Sequence, residues 1–439
     1  MTDAAPPPGA AGRDKAIGRA VVGAFVALVV VTGAVLWSTD ARDDVPPDDV
    51  ATPTVGPPVD EVDRDERASQ VLQSLGVAWL HADETAFVDA AGASRAAHQW
   101  AGQVYDALAD LRVRWIDLRY VAVDPETAAD PLGFTADVEV RWELDAGPAH
   151  QIYRTAPVMI SLRFSYNGDR IDVVGLDGDT DDPVPVWLAG PVDIESTDGG
   201  TCIAVPEGVD LDTCAALLDV AADDLANIVS TEQTANRPVV VMVPNTDSTA
   251  AMLLGQEADD LTQIAAVTTT IDGSSSVQAP AEVVVNPTVF DDLSRRAAQL
   301  VMSHEVTHAA TGATASSIEL WVAEGFADYV ALASGRIPVE RAASQILSYV
   351  RKHHPPEHLP TAQEFSAHRH GLGRTYEAAW LIFRMLGAYY GDDSVVDFYD
   401  EVRTGTPVED ALLDTIGLDL DGLTAAWQDY LTSLAFGVS

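Results

Sequence analysis

The stretch that decides the fold is residues 293–310, LSRRAAQLVMSHEVTHAA, which contains His304-Glu305-Val306-Thr307-His308. Apolar residues recur in it at helical spacing, so we predict a single helix. Residues four apart stand on one face of a helix, about one turn from each other. His304 and His308 are therefore expected to bind one tetrahedral Zn²⁺ ion per chain.

Glu305 stands beside the two histidines but outside the expected ligand shell. Zinc lowers the pKa of a coordinated water to about 7, and a neighbouring carboxylate can then take the proton from that water. We expect Glu305 to be this general base.

A catalytic zinc ion needs a third protein ligand and keeps its fourth position for water. A metzincin would supply a glycine and a histidine three and six residues after the second histidine, but Thr311 and Thr314 occupy these positions. The next predicted helix carries Glu324, sixteen residues after the second histidine. We expect Glu324 to complete the ligand set. Asp328, one turn later, is expected to accept a hydrogen bond from a ligand histidine and fix its tautomer.

HEVTH at residues 304–308, followed by WVAEGFADYV at residues 321–330, resembles the gluzincin branch of the thermolysin-like zincins. It is most similar to small peptidases with a peptidase MA-like domain, relatives of the aminopeptidase N family, and the likeness covers about residues 200–435. The resemblance implies a zinc metallopeptidase. The spacing from His308 to Glu324 is shorter than in thermolysin or aminopeptidase N, so the connecting loop is expected to be tight. The sequence also lacks the GxMEN segment that holds a substrate's free amine in aminopeptidases, so an endopeptidase is favoured.

The same resemblance implies two further roles. A strand at the edge of the sheet, before the HExxH helix, would pair with the extended substrate backbone; here it consists of Val283, Val284 and Val285. A tyrosine that opens a later helix would donate a hydrogen bond to the oxyanion, and Tyr376 occupies that place. His368 and His370, in the loop before it, are the alternative donors.

Residues 20–37 form an uncharged run of 18, which as a helix would span about 27 Å, close to the hydrocarbon core of a bilayer. Basic residues precede the run and acidic residues follow it, so we predict a single transmembrane helix with a cytoplasmic tail at 1–19. A cleaved secretory signal is the alternative. Residues 38–64, rich in Asp, Glu and Pro, are predicted to be a disordered stalk.

The rest of the chain is predicted to form two extracellular domains. In residues 65–195, two helical patterns precede alternating strands and a turn at Asn167-Gly168, an order that resembles the cystatin-like or nuclear transport factor-like fold. Residues 200–436 would be the metallopeptidase domain, with a small mixed sheet and a mainly helical C-terminal part. The predicted fold class is α+β.

The composition limits the partners. The chain has 25 basic and 68 acidic residues, a net charge of −43. Phosphate backbones would repel such a surface, which excludes nucleic acid as a partner. The only cysteines, Cys202 and Cys214, are expected to form a disulfide because the protein is expected to be exported and too few cysteines are present for a zinc ribbon.

Together these features predict a single-pass protein of the cell membrane whose extracellular part hydrolyses peptides or proteins. The alternative is a zinc-binding but non-catalytic scaffold or sensor of the cell envelope. A third interpretation is a chance HExxH in a protein that binds no metal.

Overall fold

The computed structural model describes residues 61–146, 151–177, 182–230, 234, 237–276, 278–335, 337–366 and 371–437. The chain divides into two compact units, one ending at Ser317 and the other beginning at Ile318.

The unit that ends at Ser317 opens with three helices: α1 (Glu61–Leu80), α2 (Glu84–Ala91) and α3 (Arg95–Asp110). Side chains cap two of them, because Asp83 accepts a hydrogen bond from the Ala86 amide and Ser94 accepts one from the Ala97 amide. Helix α3 buries one stripe of apolar side chains at helical spacing, and the opposite face stays polar.

An antiparallel sheet follows these helices. Its described strands are β1 (Val113–Val123), β2 (Gly133–Ala146), β3 (Gln151–Arg154), β4 (Val158–Asn167) and β5 (Arg170–Leu176). They pair in the order β1-β2-β4-β5, and β3 pairs with β2. Alternate residues of β2 and β4 are buried, which places one face of the sheet in the core. Strands β4 and β5 form a hairpin in which Asn167 pairs with Arg170, and Gly168 has a positive φ of 63° in its turn.

A second sheet of the same unit mixes parallel and antiparallel pairs. The elements in chain order are α4 (Val186–Ala189), β6 (Asp193–Ser196), β7 (Thr201–Val205), α5 (Asp212–Ala226), β8 (Val240–Pro244), α6 (Asp247–Leu254), β9 (Ala266–Thr270) and β10 (Ala281–Val285). The strand order is β6-β7-β8-β10-β9, with β7, β8 and β10 parallel to one another. The disulfide expected for Cys202 and Cys214 is present and joins β7 to α5.

The chain runs from the last strand of this sheet through one short helix to the helix that carries the HExxH motif. Helix α7 (Pro287–Asp291) follows β10, and α8 (Arg295–Thr311) comes next. Helix α8 packs on α5, β9 and β10.

Asp272, just after β9, links the second sheet to the first. Its carboxylate accepts hydrogen bonds from the Tyr153 hydroxyl at 2.8 Å and from the Ala156 amide at 2.7 Å. Burial and the Asp272 carboxylate raise the pKa of Tyr153 to about 12, so its hydroxyl remains a donor at neutral pH. Glu282 on β10 is 5% exposed, and its burial, reinforced by the negative charge of Asp272, raises its pKa to about 8.

The unit that begins at Ile318 is helical in its described residues. Its α-helices are α9 (Leu320–Leu332), α10 (Val339–Ala342), α11 (Ser344–Lys352), α12 (Leu372–Tyr390), α13 (Asp392–Arg403), α14 (Val408–Thr415) and α15 (Leu420–Phe436). Helices α9 and α12 approach closely at Gly325, where an added Cβ would lie 2.8 Å from the Ala379 carbonyl oxygen. Stacking of Phe326 on Tyr399, with ring centroids 3.8 Å apart, brings α13 into the same core.

The predicted fold class, α+β with an N-terminal transmembrane helix, is wrong. The described chain is mixed α/β, because β7, α5 and β8 form a parallel strand-helix-strand unit at the centre of the second sheet. None of the helices in the described residues has the length and apolar content needed to cross a bilayer. Residues 1–19, 20–37 and most of 38–64, for which we predicted the tail, the membrane helix and the stalk, lie outside the described residues. The domain ranges 65–195 and 200–436 stay predictions.

Candidate metal centre

Helix α8 positions the two histidines of the HExxH motif. It begins at a capped end, where Ser294 accepts a hydrogen bond from the Ala297 amide. It ends at Gly312, whose φ of +71° is the left-handed conformation that glycine adopts without strain. His304 and His308 are both buried, one turn apart on this helix.

The two imidazoles face the same point. His304 Nε2 and His308 Nε2 are 3.0 Å apart. Ligand atoms of these two histidines and of Glu324, which is 1% exposed, all lie within 4.8 Å of one another. The chain therefore has a buried His-His-Glu group that can hold a metal ion.

The donor atoms fit a small tetrahedral cation. Zinc binds imidazole nitrogen at about 2.0–2.1 Å, which places two ligand nitrogens of one tetrahedral ion about 3.3 Å apart. The observed separation of 3.0 Å is close to this value. Two imidazoles and one carboxylate also leave a fourth position for water or substrate, as catalytic zinc sites do.

Glu305 follows the first histidine and is fully buried. Its Oε2 accepts a hydrogen bond from the Thr268 hydroxyl at 2.6 Å, and its backbone carbonyl oxygen lies 3.2 Å from the same hydroxyl. Sequence reasoning missed Thr268, which lies 37 residues earlier on β9. No local feature of the sequence indicates this contact, because only the folded chain brings the Thr268 hydroxyl to Glu305.

A buried polar network supports the other side of α8. Ser303 donates to Asp224 Oδ2 at 2.9 Å, and Gln299 donates from Nε2 to the Leu217 carbonyl oxygen at 3.0 Å. Asp224 and Leu217 are on α5, so these bonds fix the rotation of α8 about its own axis. None of these residues was predicted to belong to the site.

The proposed substrate strand is placed differently from our prediction. We expected Val283, Val284 and Val285 at the sheet edge, but β10 lies between β8 and β9, and both of its edges are paired. The expected edge position is wrong, because pairing with β9 uses the backbone groups that a substrate would need. The terminal strand on this side is β9, the strand that carries Thr268.

The remaining predicted residues are on the helical unit. Tyr376 on α12 is 1% exposed and packs edge-on against Phe365, with ring centroids 5.2 Å apart. Asp328 is half-buried on α9, one turn after Glu324. The roles expected for Tyr376 and Asp328 stay predictions. His368 and His370 lie outside the described residues.

Glu377, next to Tyr376, is a second buried carboxyl group of this unit. Burial, with a smaller contribution from the negative charge of Asp328, raises its pKa to about 8. Its Oε2 accepts a hydrogen bond from the Ile346 amide at 2.7 Å, near the beginning of α11. Glu377 therefore ties α12 to the first turn of α11.

Comparison with protein families and with curated proteins gives no match to this chain. The buried ligand group and the carboxylate of Glu305 therefore carry the functional conclusion.

Proposed function

We propose that the protein is a zinc-dependent peptidase of the gluzincin type, acting as an endopeptidase on peptides or proteins. The observation that carries this proposal is the buried group of His304, His308 and Glu324, with Glu305 adjacent to the first of them on the same helix. Structural zinc sites usually fill all four positions with Cys or His, and they have no use for a neighbouring carboxylate.

In this proposal His304, His308 and Glu324 hold the metal. A bound zinc ion would supply Lewis acidity, which makes water a nucleophile near neutral pH. Glu305 accepts the proton of the attacking water on its carboxylate and delivers that proton to the nitrogen of the leaving amine. Tyr376 donates a hydrogen bond to the oxygen of the scissile carbonyl as negative charge develops there.

Strand β9 is the proposed site of substrate alignment, in place of β10. It is the terminal strand, and it runs past Glu305 through Thr268. An extended peptide that adds to such a strand is held by its backbone, so its side chains are left to confer specificity.

The disulfide between Cys202 and Cys214 supports an oxidising compartment, so we propose that the peptidase acts outside the cytoplasm.

Zinc stoichiometry and cleavage of casein, an unstructured substrate, test the proposal on the full chain. Wild type and Glu305→Gln should each bind one zinc ion, and only the wild type should cleave casein in a chelator-sensitive way. Glu340→Gln, a change of the same kind at an exposed position, is the matched control and should behave as wild type.

Two other outcomes would count against the proposal. One zinc ion without cleavage by the wild type would favour the non-catalytic scaffold. Absence of zinc would end the metallopeptidase proposal.

A further inference from the structure

Thr268 forms a short hydrogen bond to Glu305. Its side chain is fully buried on β9, and its Oγ1 is 2.6 Å from Glu305 Oε2. The Glu305 carbonyl oxygen is 3.2 Å from the same hydroxyl. A hydroxyl has one proton to donate, and a carboxylate oxygen at the shorter distance is the stronger acceptor.

We propose that Thr268 is a positioning residue for Glu305. Its hydroxyl fixes one carboxylate oxygen and so sets the orientation of the carboxylate for proton transfer. This inference rests on the proposed peptidase function. Proton transfer requires that the base lie within hydrogen-bond reach of the proton that it takes. If the Glu305 carboxylate rotated freely, kcat would therefore fall while the affinity for substrate stayed the same.

The neighbouring threonines show why the hydroxyl of Thr268 is distinct. Thr270 is also buried on β9, but its hydroxyl donates to the backbone carbonyl oxygen of Ser274 at 2.6 Å. That bond closes the turn after the strand. Thr268 and Thr270 thus share residue type, strand and burial and differ in their acceptor, which makes Thr270 a matched control.

Three variants of the full chain separate positioning from packing. Thr268→Val keeps the shape and removes the donor, Thr268→Ser keeps the donor, and Thr270→Val removes the control hydroxyl. With zinc-loaded protein and casein, Thr268→Val should lower kcat by about 10- to 100-fold and change KM by less than about twofold. Thr268→Ser should stay within about threefold of the wild type. Thr270→Val leaves the hydrogen bond to Glu305 in place, so it should lower kcat by much less than Thr268→Val does.

Crystal structures of the metal-free wild type and metal-free Thr268→Val give a readout that needs neither zinc nor turnover. We expect the Glu305 carboxylate to move by about 1 Å or more in Thr268→Val, a displacement large enough to impair catalysis. The backbone of α8 should stay in place.

Several results would overturn the inference. Wild-type kcat in Thr268→Val would do so, and so would a Thr268→Ser variant as slow as Thr268→Val, since packing would then be the cause. If the wild type cleaves nothing, the proposed function fails separately, and the crystal structures still decide: an unmoved Glu305 carboxylate in Thr268→Val refutes positioning.

Discussion

Ser303 donates a hydrogen bond to Asp224 Oδ2 at 2.9 Å, and this bond joins α8 to α5 directly before His304. Both side chains are buried, at 0% and 4% exposure. Gln299 adds a second donor to the same hydroxyl, at 3.2 Å. The rotation of the HExxH helix therefore depends on polar contacts between buried side chains.

Replacing Ser303 by Ala should lower the free energy of unfolding by about 1–3 kcal/mol, because a buried hydrogen bond to Asp224 is lost. Urea unfolding followed by circular dichroism would measure the change. Ser74→Ala, at an exposed position of α1, should change stability by no more than about 0.5 kcal/mol. Equal effects of the two substitutions would contradict the role of the buried bond.

Gly325 and Gly102 are both in helices but have opposite surroundings. A Cβ at Gly325 would lie 2.7 Å from Phe383 Cδ2 and 2.8 Å from the Ala379 carbonyl oxygen, whereas a Cβ at Gly102 meets nothing within 4 Å. Gly325→Ala should therefore destabilise by about 1–3 kcal/mol through overpacking. Gly102→Ala should stabilise by about 0.5–1 kcal/mol, because glycine is a poor helix former. The two substitutions should shift the midpoint temperature of thermal unfolding in opposite directions. A Gly325→Ala variant more stable than the wild type would refute the close packing of α9 on α12.

Removal of any one ligand should weaken metal binding. Substitutions of residues that only support ligands lower metal affinity by about 10- to 100-fold, so loss of His304, His308 or Glu324 itself should cost about 100-fold or more. Zinc content after dialysis against a competing chelator would measure this loss for the three alanine variants. His354→Ala, an exposed histidine, is the control. A ligand variant that keeps wild-type affinity would remove that residue from the centre.

Glu282 should make stability depend on pH. Its pKa rises from the ordinary 4.5 to about 8 in the folded protein, so between these values the folded state holds a proton that the unfolded state releases. The free energy of unfolding should therefore fall as pH rises from 5 to 8, by up to about 1.4 kcal/mol per pH unit from this group. Glu282→Gln lacks this contribution, and its stability relative to wild type should rise with pH over that range.

Urea unfolding of wild type and Glu282→Gln at pH 5, 6.5 and 8 would measure this difference. Glu340→Gln, exposed on α10, should run parallel to the wild type. A constant difference between Glu282→Gln and wild type would show that the buried group does not titrate in this range.

The sequence predicted individual helices and strands better than the order of strands in the sheet. The helix expected at residues 293–310 is observed as Arg295–Thr311, since periodicity and an N-terminal serine define a helix locally. The edge position expected for Val283 was wrong, because strand neighbours depend on pairing between distant residues. The uninterrupted valines at residues 283–285 are in fact typical of an interior strand that is buried on both faces.

The candidate site shows the same division. His304, Glu305, His308 and Glu324 could be selected because helical spacing and ligand chemistry constrain them, and the structure brings the three ligand candidates together. Thr268 could not be selected from the sequence, because its contact with Glu305 exists only after β9 joins the sheet beside α8. Its neighbours in sequence contain no feature that indicates this contact.

The hydrogen bonds from Tyr153 and Ala156 to Asp272 also limit the modularity of this protein. A fragment that began at residue 200 would leave the Asp272 carboxylate without these two donors, at a turn four residues after Thr268. Exchanging the segment before residue 177 for an unrelated sequence would therefore require a new hydroxyl and a new backbone amide at the same two places.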